Sequence, residues 1–177
     1  DPTIAVNNHI VYLGWTDSRN ASTDFYGTNS GISWANIVVV GTGSNQSSIS
    51  YAADPIDNVV HEFWADNVSG NYDILYRKTG TTSNGVSVTD EPGVGKNNPA
   101  SGFAVIDGAG VPFAAWRDWR NVLSNNDTDI YYAEKTSTGF STNILINDDI
   151  GTSLQKNPAV GVNSNGDPYI VWTDQRN

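Results

Sequence analysis

Four copies of Trp-x-Asp carry the residue types and the regularity that could do chemistry: Trp15-Thr16-Asp17, Trp64-Ala65-Asp66, Trp116-Arg117-Asp118 and Trp172-Thr173-Asp174. Three continue to an Arg-Asn pair, Arg19-Asn20, Arg120-Asn121 and Arg176-Asn177, whereas the second has Val68-Ser69 there. A carboxylate two residues from a guanidinium can fork onto it or onto a ligand. Recurrence, however, points to architecture, because an active site needs one constellation and not four. In that role Trp15, Trp64, Trp116 and Trp172 fill the gaps between neighbouring sheets, each burying on the order of 200 Å². Asp17, Asp66, Asp118 and Asp174 accept hydrogen bonds from the turns that follow, and each Arg bridges to a carboxylate of its own or an adjacent unit. Departures from the repeat are the better ligand candidates. These are Trp119 and Arg117, the loop 122–128 with Asn125 and Asp127, and His61-Glu62.

The elements that must position these residues follow from the period. The tryptophans are 49, 52 and 56 residues apart, and Gly-x-Ser recurs at Gly31, Gly85 and Gly139, 54 residues apart each time. Three copies add Asp followed by an aromatic strand (Asp24-Phe25-Tyr26, Asp73-Ile74-Leu75-Tyr76, Asp129-Ile130-Tyr131-Tyr132), and three open on Asx-Pro (Asp1-Pro2, Asn98-Pro99, Asn157-Pro158). Each unit reads as four short strands separated by turn residues, in the third unit 100–105, 111–118, 129–134 and 140–146. A period near 50 residues with four antiparallel strands predicts an all-β fold, a β-propeller of about 3.5 four-stranded blades. The blades cover residues 1–46, 47–97 and 98–156, with a half-blade at 157–177. A ring needs roughly four to eight blades, so further sequence or another chain is expected to complete it. Two half-blades would supply the same two inner strands and would not make one normal blade. In such a blade the turn after the second strand lies on the top face. A ligand there would meet Arg19, Arg120 and Arg176 beside Trp119, Arg117, Asn125 and Asp127.

Composition limits the partners. With 19 acidic against 9 basic residues the net charge is −10, which argues against nucleic acid, where affinity comes from neutralising phosphates, and against anionic membrane surfaces. No apolar run approaches the ~18 residues of a membrane span. Charged residues are only 16% while Asn, Ser, Thr and Gly abound, a polar and uncharged surface typical of secreted or cell-surface β proteins. There is no Cys and there are two His, which disfavours transition metals. No cofactor is indicated apart from calcium, for which Asp127 and Asp129 with Asn125 and Asn126, or Asn147-Asp148-Asp149, supply hard oxygen ligands.

The strings Asn157-Pro158-Ala159-Val160, Tyr169-Ile170-Val171-Trp172-Thr173-Asp174-Gln175-Arg176-Asn177 and Asp129-Ile130-Tyr131-Tyr132 resemble the repeats of extracellular bacterial and archaeal propellers of the sialidase-like type. Sialidase propellers carry an Asp-box, Ser-x-Asp-x-Gly-x-Thr-Trp. The matching stretch from Gly27 to Trp34 fits at Gly31, Ser33 (for Thr) and Trp34, with Gly27 for Ser and Asn29 for Asp. A hydrolase of that kind needs an arginine cluster, an acidic Asp, and a Tyr nucleophile with a Glu partner. Arg19, Arg120 and Arg176 could mimic the cluster, but none of Glu62, Glu91 and Glu134 has a Tyr partner recognisable in the sequence. The reading that follows is a non-enzymatic extracellular module that binds carbohydrate or protein, or a surface scaffold. The alternatives are a glycan-active enzyme (sialidase-like hydrolase or polysaccharide lyase) with part of its site elsewhere, and a homo-oligomer assembling through open blade edges.

Overall fold

The computed structural model describes residues 2–19, 21–32, 34, 37–40, 43–68, 70–81, 84–92, 94–106, 109–121, 127–149 and 153–176. Strands β1 (Thr3–Asn7), β2 (Ile10–Asp17), β3 (Asp24–Asn29) and β4 (Ile37–Val40) form the first sheet. The second contains β5 (Gln46–Asp54), β6 (Val59–Asp66), β7 (Asp73–Lys78) and β8 (Val86–Ser87). The third contains β9 (Lys96–Ile106), β10 (Ala109–Asp118), β11 (Asp129–Glu134) and β12 (Ile144–Leu145), and β13 (Gln155–Val162) pairs with β14 (Pro168–Asp174) as a hairpin. Every pairing is antiparallel between consecutive strands. The fold is all-β. A 3₁₀ turn at Ser30–Ile32 is the only helical element among the described residues, so no helix there is long and apolar enough to cross a membrane.

Turn chemistry fixes the registers. Asn8 and His9 both have positive φ (45° and 65°), which a two-residue hairpin turn requires, and Asn tolerates it well. The β5–β6 turn is closed by the Asp54 carboxylate, which accepts from the backbone N–H of Ile56 (2.8 Å) and Asp57 (2.9 Å).

Two sequence expectations shift. The Asn-Pro steps do not open their strands but lie inside β9 and β13, where the pairing register slips between Asn97 and Ala100 and between Lys156 and Ala159. Proline cannot donate to the ladder, and a bulge is where a strand tolerates it. The same slip occurs without proline at Ser47–Ser50, and Ser48 and Asn157 have left-handed φ of 51° and 52°. The fourth strand of the third unit is also shorter than 140–146, since regular pairing is confined to Ile144–Leu145 with one bridge at Lys135–Phe140.

Side chains alternate across each sheet and directly opposed residues share a face. Trp64 and Trp116 therefore face back onto the preceding sheet, while Phe63 and Phe113 face forward. Three apolar clusters result. Phe25 meets Trp64, Ile49, Tyr51 and Leu75 between the first and second sheets. Phe63, Ile74, Tyr76 and Val88 meet Ala114, Trp116 and Tyr131 between the second and third. Phe113, Ala104 and Tyr132 meet Val160 and Ile170 between the third sheet and the hairpin. Trp64 and Trp116 have no exposed surface at all.

Candidate functional site

The β2–β3, β6–β7 and β10–β11 turns share one end of the sheets, the rim, with the starts of β5, β9 and β13. Each repeat Asp works through both carboxylate oxygens. One oxygen of Asp17, Asp118 and Asp174 accepts the backbone N–H two residues on, at 2.8, 2.8 and 3.0 Å. The other oxygen of Asp66 and Asp118 accepts the indole N–H of Trp64 (3.1 Å) and Trp116 (2.9 Å). The carboxylates of Asp17, Asp118 and Asp174 pair with Arg19, Arg120 and Arg176. Arg120 also reaches back to Asp90 (2.9 Å) in the connection before β9, and Arg176 to Asp148 (2.7 Å) before β13. The Arg19 and Arg120 guanidiniums lie over the rings of Tyr26 and Tyr131, 4.5 and 4.0 Å from the centroids. Hydrogen bonds from Arg19, the largest cause, hold Asp17 down to about 2. The three arginines are thus each bound to carboxylates of their own or the preceding unit.

Asp66, without an Arg, is bound by Gln46 (2.9 Å), the first residue of β5. Gln155 holds the matching place in the hairpin, bonded to Asp174 (3.1 Å) and to the Trp172 indole (2.9 Å). In the third sheet that place belongs to Lys96, opposite Asp118 and fully buried. Its ammonium donates to the carbonyls of Glu91 (2.5 Å) and Val94 (2.6 Å) and pairs with Asp73 (3.3 Å). Sequence reasoning passed over Lys96. The available signal was Lys two residues before Asn98-Pro99, where Gln155 stands two residues before Asn157-Pro158.

Beside Lys96 a recess of about 580 Å³ opens on the rim, lined by Trp119, Tyr72, Asn71, Asn97, Val94 and Gly95. The Trp119 backbone N–H is fixed to the Gly95 carbonyl (3.0 Å). Arg117 lies over the Trp119 ring at 4.2 Å and donates to Thr128 Oγ1 (3.1 Å). Asn97 Oδ1 in this wall is buried without a hydrogen-bond partner. Trp119 and Arg117 are therefore together. Asn125 and Asn126 lie outside the described residues. Asp127 and Asp129 are buried, and the Asp129 carboxylate accepts amide N–H groups of Asn121 (2.8 Å) and Asn147 (2.9 Å). Among the described residues no three acidic or histidine side chains gather as a metal site.

The opposite end of the second sheet holds a constellation that the sequence did not assemble. His61 is buried, with Nε2 3.1 Å from Asp54 Oδ2 and Nδ1 2.8 Å from the Tyr76 hydroxyl. A carboxylate can only accept, so Nε2 carries the proton and Nδ1 accepts from Tyr76. The ring stacks on Phe103 of the third sheet, 5.3 Å between centroids. Burial pushes the imidazole below its usual range despite Asp54. A recess of about 190 Å³ there is flanked by Asp57, Lys78, Pro112 and Lys135. Pairing places tyrosines beside two of the glutamates, partners that the sequence does not announce. Tyr51 stands directly opposite Glu62, and the Tyr132 hydroxyl donates to Glu134 (3.1 Å). Glu62 is bound to Arg77 between the first and second sheets. Burial drives both tyrosine hydroxyls well above their usual range, which keeps them protonated.

No protein-family model and no curated protein matches this chain.

Proposed function

We propose that the chain is part of a β-propeller of the secreted or cell-surface kind, and that its rim recess at Trp119 binds a neutral carbohydrate. Three consecutive four-stranded antiparallel sheets and a further hairpin, stacked face to face with a Trp repeat near 50 residues, support the propeller. The observation that carries the ligand reading is the lining of the recess. An indole and a phenol ring stand beside two amides, the groups that stack on sugar rings and bond their hydroxyls. The cations beside the recess are engaged within the protein, and Arg117 lies over Trp119 and donates to Thr128. The Lys96 ammonium is saturated by two carbonyls and Asp73, and Asp90 and Glu91 add negative charge nearby. An enzyme has less support, because the tyrosines beside Glu62 and Glu134 are held protonated and Asp54, His61 and Tyr76 are buried against each other. The test is a binding screen over neutral and acidic glycans, followed by Trp119→Ala. A neutral glycan is expected to bind and to lose at least tenfold in affinity in the variant. No binding by any neutral glycan, or binding that survives Trp119→Ala unchanged, sinks this reading.

A further inference from the structure

At the end away from the rim, the cleft between the second and third sheets departs from the repeat in charge. Asp24, Asp73 and Asp129 open the third strands of their units in the same register. In that register Lys78 stands where the other units have Asn29 and Glu134, and Lys135 where they have Ser30 and Thr79. The cleft between the first and second sheets thus offers Asn29 and Thr79 at these two positions, and the cleft before the hairpin offers Glu134. Between the second and third sheets both positions are lysine, in a chain with 19 acidic and 9 basic residues.

Two recesses open there, of about 190 and 500 Å³, and Tyr76, Lys78 and Lys135 line both. The two lysines therefore stand between them. His61, directly opposite Lys78 in the ladder, lines the smaller recess, and Thr81, Ser87 and Thr138 add hydroxyls to the larger. Lys78 is 41% exposed and pairs with Asp57 (2.7 Å), a surface ion pair that contributes little. Lys135 donates to the Thr136 carbonyl (2.8 Å), and no carboxylate among the described residues pairs with it. An ammonium has three donors, so Lys135 brings charge and N–H groups that the protein itself leaves unused. Its place is fixed, since its backbone N–H donates to the Pro112 carbonyl (2.9 Å) and its ammonium lies 5.8 Å from the centre of the Phe140 ring.

We infer that Lys78 and Lys135 together bind a phosphate group, free or as the monoester of a small molecule, where the two recesses meet. A compact, doubly charged anion suits two ammoniums, which act as point charges, whereas the guanidinium fork matches planar carboxylates. Arg77, the remaining cation of the larger recess, is already bound to Glu62. The Asp54 carboxylate is turned to His61 and to the backbone N–H groups of Ile56 and Asp57. Asp57 is the competitor, because the anion must share Lys78 with it. Trp119 lies at the other end of the same cleft, so this site is independent of the carbohydrate reading.

Calorimetric titration of the whole chain with inorganic phosphate, and separately with glycerol phosphate, tests this at fixed pH and ionic strength. Phosphate is expected to bind at one site per chain. Binding of inorganic phosphate alone assigns the free ion, and binding of glycerol phosphate assigns the monoester. Lys135→Met, which keeps an apolar stem over Phe140, and Lys78→Met are each expected to weaken binding at least about fivefold. Asp57→Asn, which frees Lys78, is expected to strengthen it about threefold. Lys156→Met removes the same charge from β13 and is expected to change nothing. No binding by either probe overturns the inference, as does binding that survives both lysine variants or is not strengthened by Asp57→Asn. An equal loss in Lys156→Met would reduce the effect to general charge attraction, and displacement of phosphate by equimolar acetate would remove the phosphate assignment; either result also overturns it.

Discussion

Trp116 and Trp15 occupy the same register position, follow the same strand pattern and precede the same Asp-x-Arg turn, yet their surroundings differ completely. Trp116 is enclosed between the second and third sheets, with Phe63, Tyr76 and Val88 in front of it. Trp15 has Tyr26 beside it, 6.2 Å between ring centroids, and no preceding sheet among the described residues. The turns differ in parallel. Arg120 is almost buried and joins Asp118, Asp90 and Asn143 across two units, whereas Arg19 is half exposed and among the described residues pairs with Asp17 alone. A repeated motif thus has no fixed energetic meaning. Its contribution is set by whether a neighbouring sheet removes it from water.

The largest effect separates the two tryptophans. Trp116→Ala is expected to cost about 3–5 kcal/mol, the range for emptying an enclosed aromatic site, while Trp15→Ala costs a small fraction of that. Chemical denaturation of the two variants measures the gap, and equal losses would mean that the first sheet is covered in solution. Next are the arginines. Arg120→Met strips Asp118 and Asp90 of a shared cation and should cost about 2–3 kcal/mol, as for charged hydrogen bonds out of water. Arg19→Met should leave the midpoint of thermal unfolding almost where it was. A scan that moves both equally breaks the comparison.

The smallest effect concerns pH at a position where the sheets differ in residue type. Tyr12, Phe113 and Tyr169 stand where the second sheet has His61. Burial lowers the folded-state pKa of His61 below 6.5, so the unfolded chain binds the extra proton first. The stability held by the neutral ring is present above 6.5 and is lost as pH falls from there toward the folded value, with a slope of at most about 1.4 kcal/mol per pH unit. His61→Phe, which adopts the residue type of Phe113, should remove that slope. Urea titrations on either side of pH 6.5 compare the two, and an unchanged slope would assign it elsewhere.

Much of this was legible in the chain. Asp17, Asp66, Asp118 and Asp174 mark the ends of the four second strands because alternation and a repeated turn leave a period that survives sequence drift. Trp119 and Arg117 were readable as departures from that period, though not their contact. Lys96 was not, since a lone lysine before a proline step carries no sign that two carbonyls and Asp73 enclose it. Nor was the pairing of Tyr51 with Glu62, because it follows from the β5–β6 turn between Asp54 and Val59, whose length the residue types alone do not set.

The sequence by itself determined the repeat, the four-strand unit and the alternation that sends each Trp to one face, because these follow from local periodicity and turn chemistry. Tertiary structure decided which faces are covered, which carboxylates share an arginine, and that Asp54, His61 and Tyr76 meet behind Phe103. Those outcomes rest on contacts between sheets some 50 residues apart, such as Ser50 with Ser101. Burial there, which sets both packing energy and proton affinity, belongs to the stack of sheets and to no single segment.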